Sequence, residues 1–347
     1  MSVKIIFIGD PHIQVTNLPE FEIFMKRLII LATEQSPDLI VIAGDLLHNH
    51  ERLHTLALNK AYDMVNDMRI IAKTYVLVGN HDMCNNQQFL TQNHWMNGMK
   101  EWENTIIVDQ VLTETIRGEK FVFAPYVTPG RFEEALNTIG DDWRDASCIF
   151  AHQEFAGCKM GAIVSVEGDK WALTNPPVIS GHIHSRQFPQ ENIYYTGSAM
   201  QHAFGESEKN IIACLTFSDG VYKNNEVDLE LPRKKIVYMD VEDIEKFNVS
   251  EENTDKVKIT LSGSYEQFKA LKKTKKYKTL LKKDVKIVFK PKKLAPQDIP
   301  EEKQTTNTKF TTLLLDLVNG EKDPYLSHAY ELIVNEKESE IEDTIFL

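Results

Sequence analysis

The sequence predicts an α/β protein in which a partly parallel sheet carries a second sheet packed on it. Three observations predict it. Apolar and amphipathic segments alternate as far as residue 79, the pattern of strand, helix, strand, helix, strand. Beyond residue 104, short apolar segments recur between glycines, prolines and asparagines, as in a second sheet. Each early apolar segment also runs into a polar turn, and open α/β sheets place their ligands just past the carboxyl ends of their strands.

Residues 3–9 (VKIIFIG) read as a central strand, continuously apolar and then broken by Gly-Asp-Pro. Residues 20–35 have helical periodicity and stop at Ser36-Pro37. Residues 38–44 (DLIVIAG) form a second buried strand ending in Gly-Asp, 52–72 a helix, and 74–79 (TYVLVG) a third strand ending in Gly-Asn-His-Asp. A helix rich in Trp and Met is expected at 86–103. Short strands are expected at 105–108, 120–124, 147–151, 177–180, 193–196 and 211–217. Pro232 opens a segment of different composition, with strands at 235–241, 256–262 and 284–289 around one lysine-rich helix at 264–282. Residues 291–307 contain three prolines and few apolar side chains, so they read as a linker. Two amphipathic helices, 308–319 and 324–336, follow it. The expected domains are therefore 1–231, a small α+β unit at 232–290, the linker, and a helical tail at 308–347.

With 347 residues, 42% hydrophobic and 26% charged, the chain can bury a sizeable core, which excludes global disorder. No apolar run approaches the roughly 18 residues of a membrane span. The N-terminal MSVKIIFIGD reads as a buried strand rather than a signal peptide. Four cysteines (Cys84, Cys148, Cys158, Cys214) lie far apart, which argues against a disulfide framework or a zinc ribbon and suits a reducing compartment. A soluble, cytoplasmic protein is expected. Net charge is −12, but its distribution is uneven: −13 over residues 1–231, +9 over 232–293 and −8 over 294–347. A basic island between acidic flanks says more about partners than the total does.

The chemistry concentrates in five turns: Asp10-Pro-His12, Gly44-Asp45, Gly79-Asn80-His81-Asp82, Ala151-His152 and Gly181-His182-Ile-His184. Carboxylate, carbonyl and imidazole groups on rigid elements suit a hard divalent cation. Residues i and i+2 of an extended loop point the same way, so Asp-x-His and His-x-His can each face one cavity. Two adjacent cations need a bridging carboxylate, and Asp45 lies between the outer groups. Asp10, His12 and His184 would complete one site; Asn80, His152 and His182 would complete the other.

These blocks, in this order, resemble the signature of the calcineurin-like metallophosphoesterases: D-x-H, GD, GNHD, H and GHxH. The resemblance implies a two-sheet αββα sandwich and two divalent metal ions, with manganese the usual activator. Residues 44–50 (GDLLHNH) and 196–206 (TGSAMQHAFGE) are similar to segments of one branch, the SbcD-type nucleases of double-strand-break repair complexes. Ala199 stands where that branch often has proline, and the stretch 89–103 is unlike most cellular members, which suggests a viral or phage member. The resemblance implies a DNA exonuclease on duplex ends and an endonuclease on single strands or hairpins. In it His81 matches a non-ligand histidine that stabilises the transition state or protonates the leaving group, Asp82 would orient His81, and His48 would contact the phosphate backbone. No role is assigned to histidines 50, 54, 94, 202 and 328.

Residues 265–293 hold 12 lysines against Glu266 and Asp284. Clustered lysines neutralise phosphates and release counterions without reading bases. Lys272, Lys273, Lys275 and Lys276 are the candidate DNA contacts. The family likeness further implies a homodimer through helices 52–68 and 86–103, and an SbcC-type coiled-coil ATPase gripped by residues 308–336. Two other readings explain the metal blocks: a phosphoesterase of small phosphomonoesters or phosphodiesters, and a metal-free scaffold. The first leaves the lysine island without purpose, and the second leaves intact ligand blocks without purpose.

Overall fold

The computed structural model describes residues 2–50, 52–207, 209–248 and 254–292, with eight positions between 314 and 330. Residues 1–290 form one compact unit and 291–347 another. Along the first unit run β1 (Val3–Ile8), α1 (Leu18–Gln35), β2 (Leu39–Ile42), α2 (Thr55–Ile71), β3 (Lys73–Leu77), β4 (Thr105–Val108), β5 (Leu112–Ile116), β6 (Glu119–Ala124), α3 (Phe132–Leu136) and β7 (Cys148–His152). Next come the short pair β8 (Lys159–Met160) and β9 (Ile163–Val164), then β10 (Val178–Gly181), β11 (Gln187–Gln190), β12 (Ile193–Tyr195), β13 (Ile212–Ser218) and β14 (Val221–Val227).

Two six-stranded sheets result, ordered β14-β13-β1-β2-β3-β4 and β11-β12-β10-β7-β6-β5. In the first, β1 to β4 pair parallel, and β13 returns antiparallel against β1. In the second, β12, β10, β7 and β6 are parallel, and antiparallel strands close both edges. Alternation along each strand decides the layers. Val3, Ile5 and Phe7 point between the sheets and meet Phe121, Phe123 and Phe150 of the second sheet. Ile6 and Ile8 point the other way, onto Phe24 and Leu28 of α1 and Met64 and Val65 of α2. On the outer face of the second sheet, Val122, Ile149 and Tyr195 pack on Phe132, Trp143 and Trp171. The molecule is thus an αββα sandwich. Aromatic rings cluster within the inter-sheet layer: Tyr75 stacks on Phe123 with ring centroids 4.0 Å apart.

After Pro232 the chain forms a separate three-stranded sheet from β15 (Lys234–Asp240), β16 (Lys256–Gly263) and β17 (Lys286–Pro291), in that order. Ile259, Leu261, Phe268 and Leu280 give it a core of its own. The single helix expected at 264–282 is two, α4 (Tyr265–Leu271) and α5 (Lys275–Lys282). Thr274 causes the break: its hydroxyl donates to the Leu271 carbonyl and accepts from the Tyr277 N–H, so it caps a new helix instead of extending the old one. Pro291, the first residue of the expected linker, ends β17; beyond Lys292 the described positions, 314, 315, 317, 318, 320, 325, 326 and 330, are helical, and the rest of the expected linker and tail helices lies outside the described residues.

The helix expected at 86–103 is also corrected. Only Trp95–Glu101 is helical, and it is a 3-10 helix. Asn85 Oδ1 accepts from the Gln87 N–H and Thr91 Oγ1 from the Asn93 N–H, while Leu90 takes a φ of +45°. Such side-chain bonds to nearby backbone offer the chain an alternative to the helical ladder. A bridge between Met83 and His94 closes the excursion as a loop. Much of the apolar surface read as a dimer face is used within the chain: Ala61, Val65, Met68, Met96 and Met99 are buried in one core cluster, whereas Leu56 is exposed. Among the described residues no helix is long and apolar enough to cross a membrane.

Phe150 is fully buried; it faces Phe7 across the sandwich and packs beside Phe121 and Phe123 of the neighbouring strand in its own sheet. Phe150→Ala should cost about 3–5 kcal/mol of unfolding free energy, read from urea denaturation. A loss below about 1 kcal/mol would contradict this packing.

Candidate metal centre

All five polar turns lie at the carboxyl ends of parallel strands. Asp10 and His12 follow β1, Asp45 follows β2, and Asn80 and His81 follow β3, three neighbours in the first sheet. His152 ends β7, and His182 and His184 follow its neighbour β10 in the second sheet. Stacking the two sheets brings these edges together.

The seven candidate ligands converge. Asp45 Oδ2 lies 3.5 Å from His12 Nε2 and 3.3 Å from His152 Nε2. Asn80 Oδ1 lies 3.1 Å from His152 Nε2 and 2.9 Å from His182 Nδ1. His12 Nε2 and His184 Nε2 are 2.9 Å apart. Donor atoms of Asp10, His12 and Asp45 all lie within 4.8 Å of one another, and so do those of Asp45, His152 and His182. Asp45 belongs to both groups, as a bridging carboxylate must.

Supporting hydrogen bonds turn the donors inward. His152 Nδ1–H donates to the Ala43 carbonyl at 2.6 Å, which leaves Nε2 to face the cluster. His184 Nδ1 is likewise engaged by Glu206 Oε1 at 3.3 Å. The His182 N–H donates to Asp10 Oδ1 and the His81 N–H to Asp45 Oδ1, each at 2.8 Å. The backbone is strained to do this: Asp10, His12, Asp45 and His182 have φ of 30°, 42°, 49° and 83°. Non-glycine residues in that region cost about 1–3 kcal/mol each and persist only where the surroundings impose them.

These residues fit divalent cations. Asp10 Oδ2 and His12 Nδ1 are buried without a hydrogen-bond partner, and a buried carboxylate oxygen left unpaired is costly. Burial pushes the Asp10 carboxyl above its ordinary range, and the nearby Asp45 charge adds to that. Burial pushes Asp45 the same way, but His152 and His12 outweigh it and hold this carboxyl well below the usual range. Oxygen and imidazole donors with no thiolate suit a borderline-to-hard metal.

His81 and His48 border the cluster. The His81 ring lies 4.8 Å from that of His12, and its Nδ1–H donates to the His48 carbonyl at 2.6 Å. The His48 ring is 5.4 Å from that of His12. Asp82 does not orient His81, contrary to the expectation from sequence. Its oxygens accept from the Gly79 N–H and the Trp95 indole N–H, so it secures the turn rather than the imidazole. Burial, then the Asp45 charge, pushes its carboxyl up to about 7. Of the candidate DNA contacts, Lys272 and Lys273, between α4 and α5, and Lys275, the first residue of α5, are exposed. Lys276 is partly committed within the fold, donating to Asn248 Oδ1 and the Glu245 carbonyl.

Three residues that sequence reasoning passed over belong to this neighbourhood. His202 Nε2–H donates to the Asp10 carbonyl at 2.9 Å. Glu206 holds His184 and also accepts from the His202 and Ala203 N–H groups. His50 stacks on His81 with ring centroids 4.4 Å apart. Both segments, GDLLHNH and TGSAMQHAFGE, carried a signal, but not one that separated these side chains from solvated neighbours. His54 and His94 cap the starts of helices, and His328 lies outside the described residues.

Residues 3–186 match the family described as calcineurin-like phosphoesterase. "Putative phosphoesterase 078R" of Invertebrate iridescent virus 3 is 48% identical over 84% of this chain and 85% of its own length. "Putative phosphoesterase 244L" of Invertebrate iridescent virus 6 is 50% identical over 79% of this chain and 99% of its own. Among solved structures, GAP50, the anchor in the inner membrane complex of Plasmodium, is 14% identical, covers 66% of this chain and 85% of its own, and gives a TM-score of 0.44. The family match over residues 3–186, together with the two viral relatives, shows that the chain belongs to the calcineurin-like phosphoesterases. It is a phosphoesterase hydrolase whose Asp/His cluster is a metal-binding centre.

Gly79 has no room for a side chain beside Asp45. A Cβ there would lie 2.2 Å from Asp45 Oδ1 and 2.5 Å from the Asp45 backbone nitrogen. Gly79→Ala should displace Asp45 and weaken manganese binding at least tenfold in calorimetric titration. Unchanged affinity would show that Asp45 is not the shared ligand.

Proposed function

We propose that this chain is a two-metal DNA nuclease of the SbcD type, cutting duplex ends exonucleolytically and single strands or hairpins endonucleolytically. Asp10, His12, Asp45, Asn80, His152, His182 and His184 would hold the metals, manganese in preference. When bound, such cations neutralise phosphate oxygens and lower the pKa of water to yield a nucleophile. The chain's own part is positioning. With Nδ1 tied to the His48 carbonyl and one ring face covered by His50, His81 can meet substrate only through Nε2. Protonated there, it donates to the departing oxygen.

The observation that carries a diester rather than a monoester reading is that, among the described residues, more than one groove reaches the centre's rim. One, of about 990 Å³, runs along Asn49, His50, Arg52 and residues 84–87. Another, of about 520 Å³, runs along residues 159–161, 182–185 and 204–207. A phosphodiester has two substituents to accommodate; a monoester has one. The lysine face supports DNA as that diester. The unit bearing it is joined to the centre, because the Lys234 N–H donates to Gln201 Oε1 at 2.6 Å and Gln201 Nε2 donates to the Glu206 carbonyl at 3.2 Å. The same reading gives residues 308–336 to an SbcC-type ATPase and α2 to a second copy of the chain.

Manganese-dependent digestion of end-labelled duplex and hairpin DNA, compared with hydrolysis of p-nitrophenyl phosphate, tests the substrate class; turnover of the small ester alone would overturn the nuclease reading. His81→Asn should keep metal content by elemental analysis and lose about 100- to 10,000-fold in kcat, the usual range for a general acid. Replacing Lys272, Lys273, Lys275 and Lys276 together with Ala should weaken DNA binding and flatten its dependence on salt in fluorescence polarisation. An unchanged salt slope would remove these lysines from the interface.

A further inference from the structure

We propose that the groove between the β8–β9 hairpin and residues 204–207 is a subsite for one nucleotide of the cleaved strand, with its base stacked on Phe204 and a flanking phosphate met by Lys258. This rests on the nuclease reading and deepens it.

The groove is continuous with the metal centre, since His182 and His184 form one of its walls. A phosphoester held by those histidines therefore has this space beside it. Its volume, about 520 Å³, falls within the roughly 300–1,000 Å³ of small-molecule sites. Met160, Ile183 and Phe204 make the lining largely apolar, which a bare phosphate would not require. Cations stand at its edge. Lys159 lines it, and Lys258, reaching from β16, holds Nζ over one face of the Phe204 ring, 5.9 Å from its centroid, which leaves the other face for a base. An aromatic platform beside cations is the arrangement that binds a nucleotide of a single strand, with the ring under the base and the ammonium near the backbone. Glu206 also lines the groove, but its carboxylate is turned to His184 and to the His202 and Ala203 N–H groups.

The hairpin adds a second, independent feature. Met160, Ile163, Val164 and Val166 are 39%, 67%, 49% and 80% exposed, an apolar lip beside an otherwise polar centre. It is firmly held. The Gly157 and Ser165 N–H groups donate to the Ser165 and Cys158 carbonyls at 2.8 Å, and the Lys159 N–H donates to Gln187 Oε1 at 2.7 Å. Fixed apolar side chains next to a phosphodiester centre match base faces that have left the stack, as at the frayed end of a duplex or in a hairpin loop.

The test uses single-stranded oligonucleotides with manganese, one of natural sequence and a series carrying one abasic sugar at each position in turn. Wild type should cut the series poorly at one register relative to the missing base. Phe204→Ala should lower kcat/KM on the natural strand by roughly 5- to 150-fold, the usual worth of one stacked base, and lose the register effect, with metal content unchanged. Phe204→Tyr should retain both the rate and the register effect. Lys258→Gln should flatten the salt dependence of binding by about one released ion. Equal loss by Phe204→Ala on natural and abasic strands, or no loss, would overturn the subsite and leave the nuclease reading standing. A wild-type protein that cuts no oligonucleotide would overturn both.

Discussion

The Asp45 carboxylate is fully enclosed, yet it faces imidazoles from four different turns: His12, His81, His152 and, within the same group of donors, His182. Taking a carboxylate out of water costs several kcal/mol unless positive charge or hydrogen bonds replace the solvent. Here the replacement comes from residues separated by more than a hundred positions in sequence. That one requirement explains why the strand ends are aligned, why Gly44 and Gly79 lie where a side chain would strike His152 or Asp45, and why Asp45 and three of its neighbours accept a left-handed backbone.

The sandwich exists to hold that alignment. Parallel pairing places the ends of β1, β2 and β3 side by side, and the same holds for β7 and β10. The packed layer of aliphatic and aromatic side chains between the sheets fixes their separation. The interior is close-packed, so it does not yield gradually when a ligand shifts. Around the centre, Glu206, His202 and the Ala43 carbonyl orient the imidazoles through their outer nitrogens or neighbouring backbone. The loop carrying Glu206 and His202 is hydrogen-bonded through Gln201 to the small lysine-rich unit. The metal centre and the cationic surface are thus mechanically connected, which suits a substrate long enough to touch both.

Legibility followed the range of the forces involved. The strands β1, β2 and β3 and their turns were readable because continuous apolar runs ending in Gly-Asp or Gly-Asn leave few local alternatives. The αββα layering came from the family likeness and stands. The edge strand β14 (VYKNNEV) escaped notice because none of its residues is buried and polar side chains fill its middle. The stretch 86–103 misled because Trp and Met at helical spacing also suit a loop whose apolar tips are pinned to a core, while Asn85 and Thr91 divert its backbone. The break in 264–282 hung on one threonine hydroxyl.

The sequence by itself determined the class of chemistry: which residues carry oxygen and imidazole donors, that each follows a buried strand, and that a cationic segment accompanies them. These are consequences of local composition and of period, and they survive without coordinates. Only the tertiary structure decided which donors share Asp45, that Asp82 serves the turn rather than His81, that His50 covers His81, and that Phe204 and Met160 flank the ligands. Those relations depend on how two sheets stack and how distant loops meet, and no short-range pattern of residues encodes the distance between them.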